Sequence, residues 1–153
     1  MQPVTIGPAQ EAERDWAAHL MSGSDPWVTL RRGFEDCKKA CTDESCLLFI
    51  ARLEGQPCGF ILLHPRGVAG SPYIRSVAVA AGYRDRGIGR LLVEFAENLF
   101  RDKARFIFLC VSSFNTRARA LYERLGYAAA GELVDYVIDG ASEILMSKRL
   151  VPR

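Results

Sequence analysis

The sequence predicts an α+β fold, with one mixed, mostly antiparallel central sheet flanked by about four helices, in a single domain over residues 1–153. Three observations carry this expectation. Alternating and helical apolar repeats interleave along the chain. Hairpin signals lie towards both ends, at Glu54-Gly55-Gln56-Pro57 and at Asp139-Gly140, which sets the pattern apart from a doubly wound sheet. Between them, Ser76 to Phe100 runs from an alternating strand through a basic, glycine-bearing turn into a helix. In that helix Ile88, Leu91, Leu92, Phe95 and Leu99 fall at helical spacing.

In chain order, Val4 to Ile6 reads as a short strand and Ala9 to Met21 as a helix with Ala12, Trp16 and Leu20 on one face. Ser22-Gly23-Ser24-Asp25-Pro26 is a turn, and Thr29 to Lys39 gives a second helix. Leu47 to Leu53 and Cys58 to Leu63 are apolar strands, and Pro65 to Pro72 is a loop. Tyr73 to Val79 is a strand, and a long helix follows from Gly87 to about Asp102. Arg105 to Val111 is apolar enough to be a buried strand beside the Tyr73 strand. Asn115 then opens a helix with Ala118, Leu121, Tyr122 and Leu125 on its apolar face and Gly126 as its stop. Tyr127 to Tyr136 and Ala141 to Lys148 are the closing strands.

Hydrophobic residues make up 49% and charged residues 25% of the chain, which argues against extended disorder. A formal charge of +2 gives no reason to expect nucleic acid binding, and Arg31, Arg32, Lys38 and Lys39 fit the solvated face of an amphipathic helix. No stretch of eighteen apolar residues and no apolar leader occurs, so no membrane partner and a cytoplasmic location are expected. Cys37, Cys41, Cys46, Cys58 and Cys110 lack paired C-x-x-C spacing, so no disulfide framework or metal site is expected. Cys37 and Cys41 continue an apolar stripe begun by Leu30 and Phe34.

The turn Arg84-Asp85-Arg86-Gly87-Ile88-Gly89 puts two glycines, free backbone N–H groups and a positive helix end at one spot, with Arg90 beside them. Such a turn is a site for phosphate oxygens. Its spacing is not the dinucleotide-binding G-x-G-x-x-G, and no acidic residue ends a strand about twenty residues later. No Gly-Lys-Ser/Thr follows, which excludes a P-loop.

The R-x-x-G-x-G run after the Val77-Ala78-Val79 strand resembles the acyl-coenzyme A motif of the GCN5-related N-acetyltransferase (GNAT) family. A second segment, Asn115 through Leu121-Tyr122-Glu123 to Gly126-Tyr127, resembles that family's downstream motif. The resemblance implies the acyl-CoA N-acyltransferase fold, acetyl-CoA as the donor and a primary amine as acceptor, with attack in a ternary complex. It implies that the backbone of Val77, Ala78 and Val79 pairs with the pantetheine arm. The amides from Arg84, Asp85 and Arg86 through Gly87, Ile88 and Gly89 to Arg90 would hold the diphosphate. Asn115 would contact the pantetheine amide or cap its helix, and Tyr122 would be the general acid towards sulfur.

Two positions depart from the family pattern. A glutamate that family members carry before the turn is Tyr73 here, and another, before the motif asparagine, is Cys110. A lysine amine has a pKa of about 10.4 and needs a base at neutral pH, whereas an α-amine of about 8 is partly neutral unaided. The departures favour a low-pKa amine, or a water relay to Asp135, Glu132 or His64. Pro26-Trp27 and the ending LVDYVIDGASEILMSK resemble the ribosomal-protein N-terminal acetyltransferase branch. Small-molecule amines stay open as acceptors. Asp25 and Trp27 suit either acceptor contact or a capped turn with an anchoring indole. Arg75, Asp135 and Tyr136 complete the acceptor candidates. Apolar Tyr136 to Ile138 suits either a homodimer contact or core. The rival reading is a non-catalytic acyl-CoA-binding or regulatory module.

Overall fold

The computed structural model of the chain describes residues 3–151. Strands β1 (Val4–Pro8), β2 (Leu47–Leu53), β3 (Gln56–Val68), β4 (Ser71–Val79), β5 (Phe106–Ser112), β6 (Ala128–Leu133) and β7 (Glu143–Arg149) form one sheet. Its order is β1-β2-β3-β4-β5-β7-β6. Helices α1 (Glu11–Ser22), α2 (Phe34–Cys41), α3 (Ile88–Phe100) and α4 (Thr116–Arg124) flank it. Every strand pair is antiparallel except β4–β5, which the α3 crossover makes parallel. The expected α+β architecture, with about four helices on a mostly antiparallel sheet, is the one observed.

Alternation along the strands sends side chains to two apolar layers. Leu48, Ile50, Phe60 and Leu62 meet Ala17, Ala18, Met21, Cys37 and Cys41 of α1 and α2 on one face. Ile61, Leu63, Ile74, Ile107 and Leu109 meet Ile88, Leu92, Val93 and Ala96 of α3 on the other, where Tyr122 of α4 joins them. The thiols of Cys37 and Cys41 are buried core, as their stripe predicts. Among the described residues no cluster suits a metal ion, and no helix is long and apolar enough to cross a membrane.

The β4–β5 pairing positions everything that follows. It holds only Tyr73 to Phe108 and Ile74 to Leu109 in register. Beyond Ile74 and Leu109 the two strands run on, to Val79 and Ser112, without pairing to each other. The middle of the sheet is therefore split.

Three boundaries differ from the sequence reading. The second helix does not begin at Thr29. Asp25 accepts from both the amide and the hydroxyl of Thr29, at 3.0 and 2.5 Å, and closes residues 25–31 into a turn ending at a left-handed Arg31 with φ of 59°. The helix starts only after Gly33, whose N–H donates to Asp36 at 3.1 Å. Pro65 to Pro72 is mostly strand rather than loop, because β3 continues to Val68 and pairs with Ser71 across a two-residue Ala69-Gly70 turn. Strand β6 stops at Leu133, and Asp139-Gly140 lies within a longer connection to β7.

Candidate active site

The split opens into a cleft of about 810 Å³ that passes from one side of the sheet to the other. On the α3 side its wall is the turn before that helix. Gly87 adopts the left-handed conformation, φ 79°, ψ 10°, and its carbonyl accepts the first helical bond from Leu91 at 3.1 Å. Gly87, Ile88 and Gly89 line the cleft, and the N–H groups at the start of a helix lack intrahelical partners. A Cβ built on Gly89 would stand 3.8 Å from Leu121 and 3.9 Å from Val79, between the two cleft walls. A glycine there keeps backbone accessible where a side chain would intrude.

Cations surround this end. Arg84 donates its Nε–H to the Val79 carbonyl at 3.2 Å and folds the turn back on β4. Arg90 pairs with Glu94 at 2.8 Å, and Arg117 of α4 pairs with Asp85 across the cleft mouth. Arg84, Asp85, Arg90, Arg117 and Arg124 all line the cleft, whereas Arg86 stacks over the Tyr83 ring, 5.5 Å from its centroid, outside the lining.

In the waist of the cleft run Val77, Ala78 and Val79 of β4, opposite Leu121 and Tyr122 of α4. Asn115 caps α4, its side chain accepting from the Ala118 amide at 3.3 Å, and it lines the cleft as well. Tyr122 is 8% exposed, its ring edge-on to Tyr127 at 6.1 Å. Burial, the sole cause acting on it, pushes its pKa up to about 12. Among the described residues no fully buried side-chain polar atom lacks a partner, and no protein group bonds this hydroxyl. The oxygen therefore meets the cleft.

At the far end, towards the turn after α1, stand Asp25, Trp27 and Leu30 together with Tyr73, Arg75, Cys110, Ser112 and Glu143. Trp27 is anchored against Phe60, with ring centroids 6.5 Å apart. Burial raises the phenol of Tyr73, and then the neighbouring Cys110 and Glu143 raise it further. Burial likewise raises the Cys110 thiol, with Glu143 adding to it against Tyr73. Both groups stay protonated at neutral pH. The Arg75 guanidinium is held by Asp43 at 2.9 Å.

Asp135 and Tyr136 do not line the cleft. Asp135 accepts from the Gly140 amide at 2.7 Å within its own loop, and Tyr136 is 68% exposed. His64 and Glu132 lie outside the lining too, His64 accepting from the Arg66 amide at 3.2 Å and Glu132 from Ser142 at 3.3 Å. Sequence reasoning missed Ser112, Glu143, Arg117 and Arg124. The alternation Glu143-Ile144-Leu145-Met146 separates two faces, but only the observed register shows that Glu143 sits opposite Ser112.

A split sheet, a glycine-bearing helix start at one mouth and a phenol in the waist are thus brought together in one cleft. The model of the acetyltransferase (GNAT) family matches residues 11–127, and the chain belongs to that family. Over 103 residues it is 35% identical to an uncharacterized N-acetyltransferase of Methanocaldococcus jannaschii, a match covering 66% of this chain and 65% of that one. The match thus spans just under two thirds of that relative's length. Among solved structures, the ribosomal-protein-S18-alanine N-acetyltransferase of Escherichia coli superposes with a TM-score of 0.79 at 22% identity, over 99% of this chain and 96% of that one. An aminoglycoside 6'-N-acetyltransferase complexed with coenzyme A gives 0.77 at 18% identity, over 97% and 98%.

Proposed function

We propose that this chain is an acetyl-CoA-dependent N-acetyltransferase acting on a primary amine in a ternary complex, with Tyr122 as general acid. The observation that carries this reading is the β4–β5 split, which joins the α3 turn, the Tyr122 hydroxyl and the Asp25–Trp27 turn in one cleft. Acetyl-CoA supplies an activated thioester and a thiolate leaving group. The cleft suits that donor. Amides from Arg84 to Arg90 offer donors for a diphosphate at a positive helix end, and Arg117 pairs with Asp85 of that turn. The unpaired edge of β4 at Val77, Ala78 and Val79 offers backbone partners to an extended amide-bearing arm, and Asn115 stands across from it.

The remaining chemistry belongs to the chain. Tyr122 keeps its proton at neutral pH and holds it at an oxygen facing the cleft. Tyr73, Arg75, Cys110, Asp25 and Trp27 shape the far mouth, where the amine would enter. Asp135 and Tyr136 could reach the acceptor only from the β6–β7 connection, beyond the cleft wall. Resemblance in Pro26-Trp27 and the final strand leans the acceptor towards a protein α-amine, which is partly neutral at pH 7.

The test is calorimetry with acetyl-CoA followed by thiol release over a panel of amines and pH values. Binding together with release on at least one amine is the expected result. Binding without release on any of them would turn the reading into an acyl-CoA-binding module.

A further inference from the structure

We infer that Glu143 is the group that receives the acceptor, its carboxylate binding the ammonium form of a primary amine at the far mouth and taking the proton that must leave nitrogen. This rests on the N-acetyltransferase reading above and names the class of amine that reading leaves open.

Among the described residues three carboxylates line the cleft: Asp25, Asp85 and Glu143. Asp85 is paired with Arg117. Asp25 accepts twice from Thr29, and those two bonds hold its carboxyl below the usual range. Glu143 differs from both. Its Oε2 accepts from the Ser112 hydroxyl at 2.6 Å, and among the described residues its side chain pairs with no cation.

Ser112 is 2% exposed and sits opposite Glu143 at the end of the β5–β7 ladder, so it fixes the carboxylate without neutralising it. Alternation along β5 places Cys110 and Ser112 on one face, away from Leu109 and Val111. That is the face of the far mouth. The groups looking at Glu143 from the neighbouring elements are Tyr73 on β4, Cys110 and Ser112 on β5, and Leu133 on β6, none of them charged at neutral pH. The Arg75 cation nearby is already held by Asp43.

An anion so placed favours a cation in front of it. It disfavours a second anion, so the class is an amine without an adjacent carboxylate, such as a peptide N-terminus or an amino sugar, rather than a free amino acid. The protons balance. The ammonium loses two, one to Glu143 and then to water, the other restoring Tyr122 after its own proton has gone to the departing sulfur. Meanwhile the C–N bond forms as the C–S bond breaks, and its electron pair leaves on sulfur.

Glu143→Gln tests this, because an amide oxygen still accepts from Ser112 while the charge is lost. Two probes, an alanyl hexapeptide and kanamycin, are titrated by calorimetry into protein saturated with coenzyme A, and kcat/KM is followed from pH 6 to 10. The probe that the wild type binds should bind about tenfold more weakly to the variant. At pH 7 kcat/KM should fall on the order of 10²-fold, with the gap closing as pH rises past the amine's own pKa. Glu143→Asp should recover part of the loss, and the acetyl-CoA Kd should stay within twofold in both variants. Equal probe binding with parallel pH profiles would overturn the assignment. So would a wild type that binds acetyl-CoA but neither probe. Failure to bind acetyl-CoA at all would instead remove the parent reading.

Discussion

Tyr122 combines burial with an oxygen open to the cleft, and the two together suit a proton donor. A phenol raised to about 12 is a weak acid in water, yet the pocket that raises it disfavours a thiolate by the same desolvation. Under the general-acid proposal, the acidities of phenol and thiol would thus shift together. Tyr122→Phe should lower kcat on the order of 10²-fold with acetyl-CoA affinity nearly unchanged, read by pre-steady-state kinetics beside calorimetry. A purely structural role would instead show as a lowered melting temperature with kcat intact. A second buried group lies outside the cleft lining. Glu97, 2% exposed, accepts from the Tyr127 hydroxyl at 3.0 Å and from Lys148 at 2.9 Å, tying α3 to β7. Lys148→Met would leave that carboxylate without its cation. Because Lys148 is partly exposed, the cost should be about 2 kcal/mol by urea unfolding, below that of a fully buried pair. Motif positions made Tyr73, Cys110 and Tyr122 legible in the sequence. Glu143 was not, since its partner Ser112 lies on a strand 31 residues earlier and only the observed register brings the two together.

The α3 turn is the element whose backbone would carry the proposed donor binding, since Gly87, Ile88 and Gly89 line the cleft. Gly87 sits at a φ of 79°, where an L side chain costs about 1–2 kcal/mol, so Gly87→Val should weaken acetyl-CoA at least tenfold. Arg86→Lys should change it less than threefold, since Arg86 leans on Tyr83 outside the cleft. Gly89 separates fold from binding more cleanly. Its φ is ordinary and its Cβ position clears every neighbour by 3.8 Å, so Gly89→Ala should raise stability by about 0.5 kcal/mol while weakening acetyl-CoA. Thermal melts and calorimetry on one preparation would show the opposed signs. Elements with strong periodicity, α3 and β5 above all, were legible from sequence. The start of α2 was not, because Asp25 and Thr29 close a helix-like turn that a left-handed Arg31 then ends. The full length of β3 was hidden as well, since Pro65 and Gly67 read as breakers, and the pairing with β4 lapses after His64 and resumes only at Val68 opposite Ser71.

On the face of the sheet opposite α3, an ion pair fastens α1 to the sheet. Glu13 of α1 bonds Arg52 of β2, with side chains 12% and 19% exposed, and that bond holds the Glu13 carboxyl below its ordinary range. A depressed carboxylate stabilises the fold above its unfolded pKa, and the contribution fades as pH falls through the lower folded value. Glu13→Gln should therefore cost about 1 kcal/mol at pH 7, with the two proteins converging as pH drops below about 4.5, followed by urea midpoints across pH. The family and the α+β class were both legible from two motifs and their order, because each motif fixes a local conformation. What the sequence could not show was the depth of the opening between β4 and β5, which depends on where the pairing ends.

That opening leaves the sheet as two leaves on a short rivet, β1–β4 with α1 and α2 on one side and β5–β7 on the other. Among the described residues only two registered pairs cross between the strands of the two leaves, and the further links are side chains: packing under α3 and α4, the Arg117–Asp85 pair across the cleft mouth and the Glu97 bonds to Tyr127 and Lys148. An extended guest bonding to both free edges would act as extra stitching, turning two loosely coupled leaves into one mechanical unit.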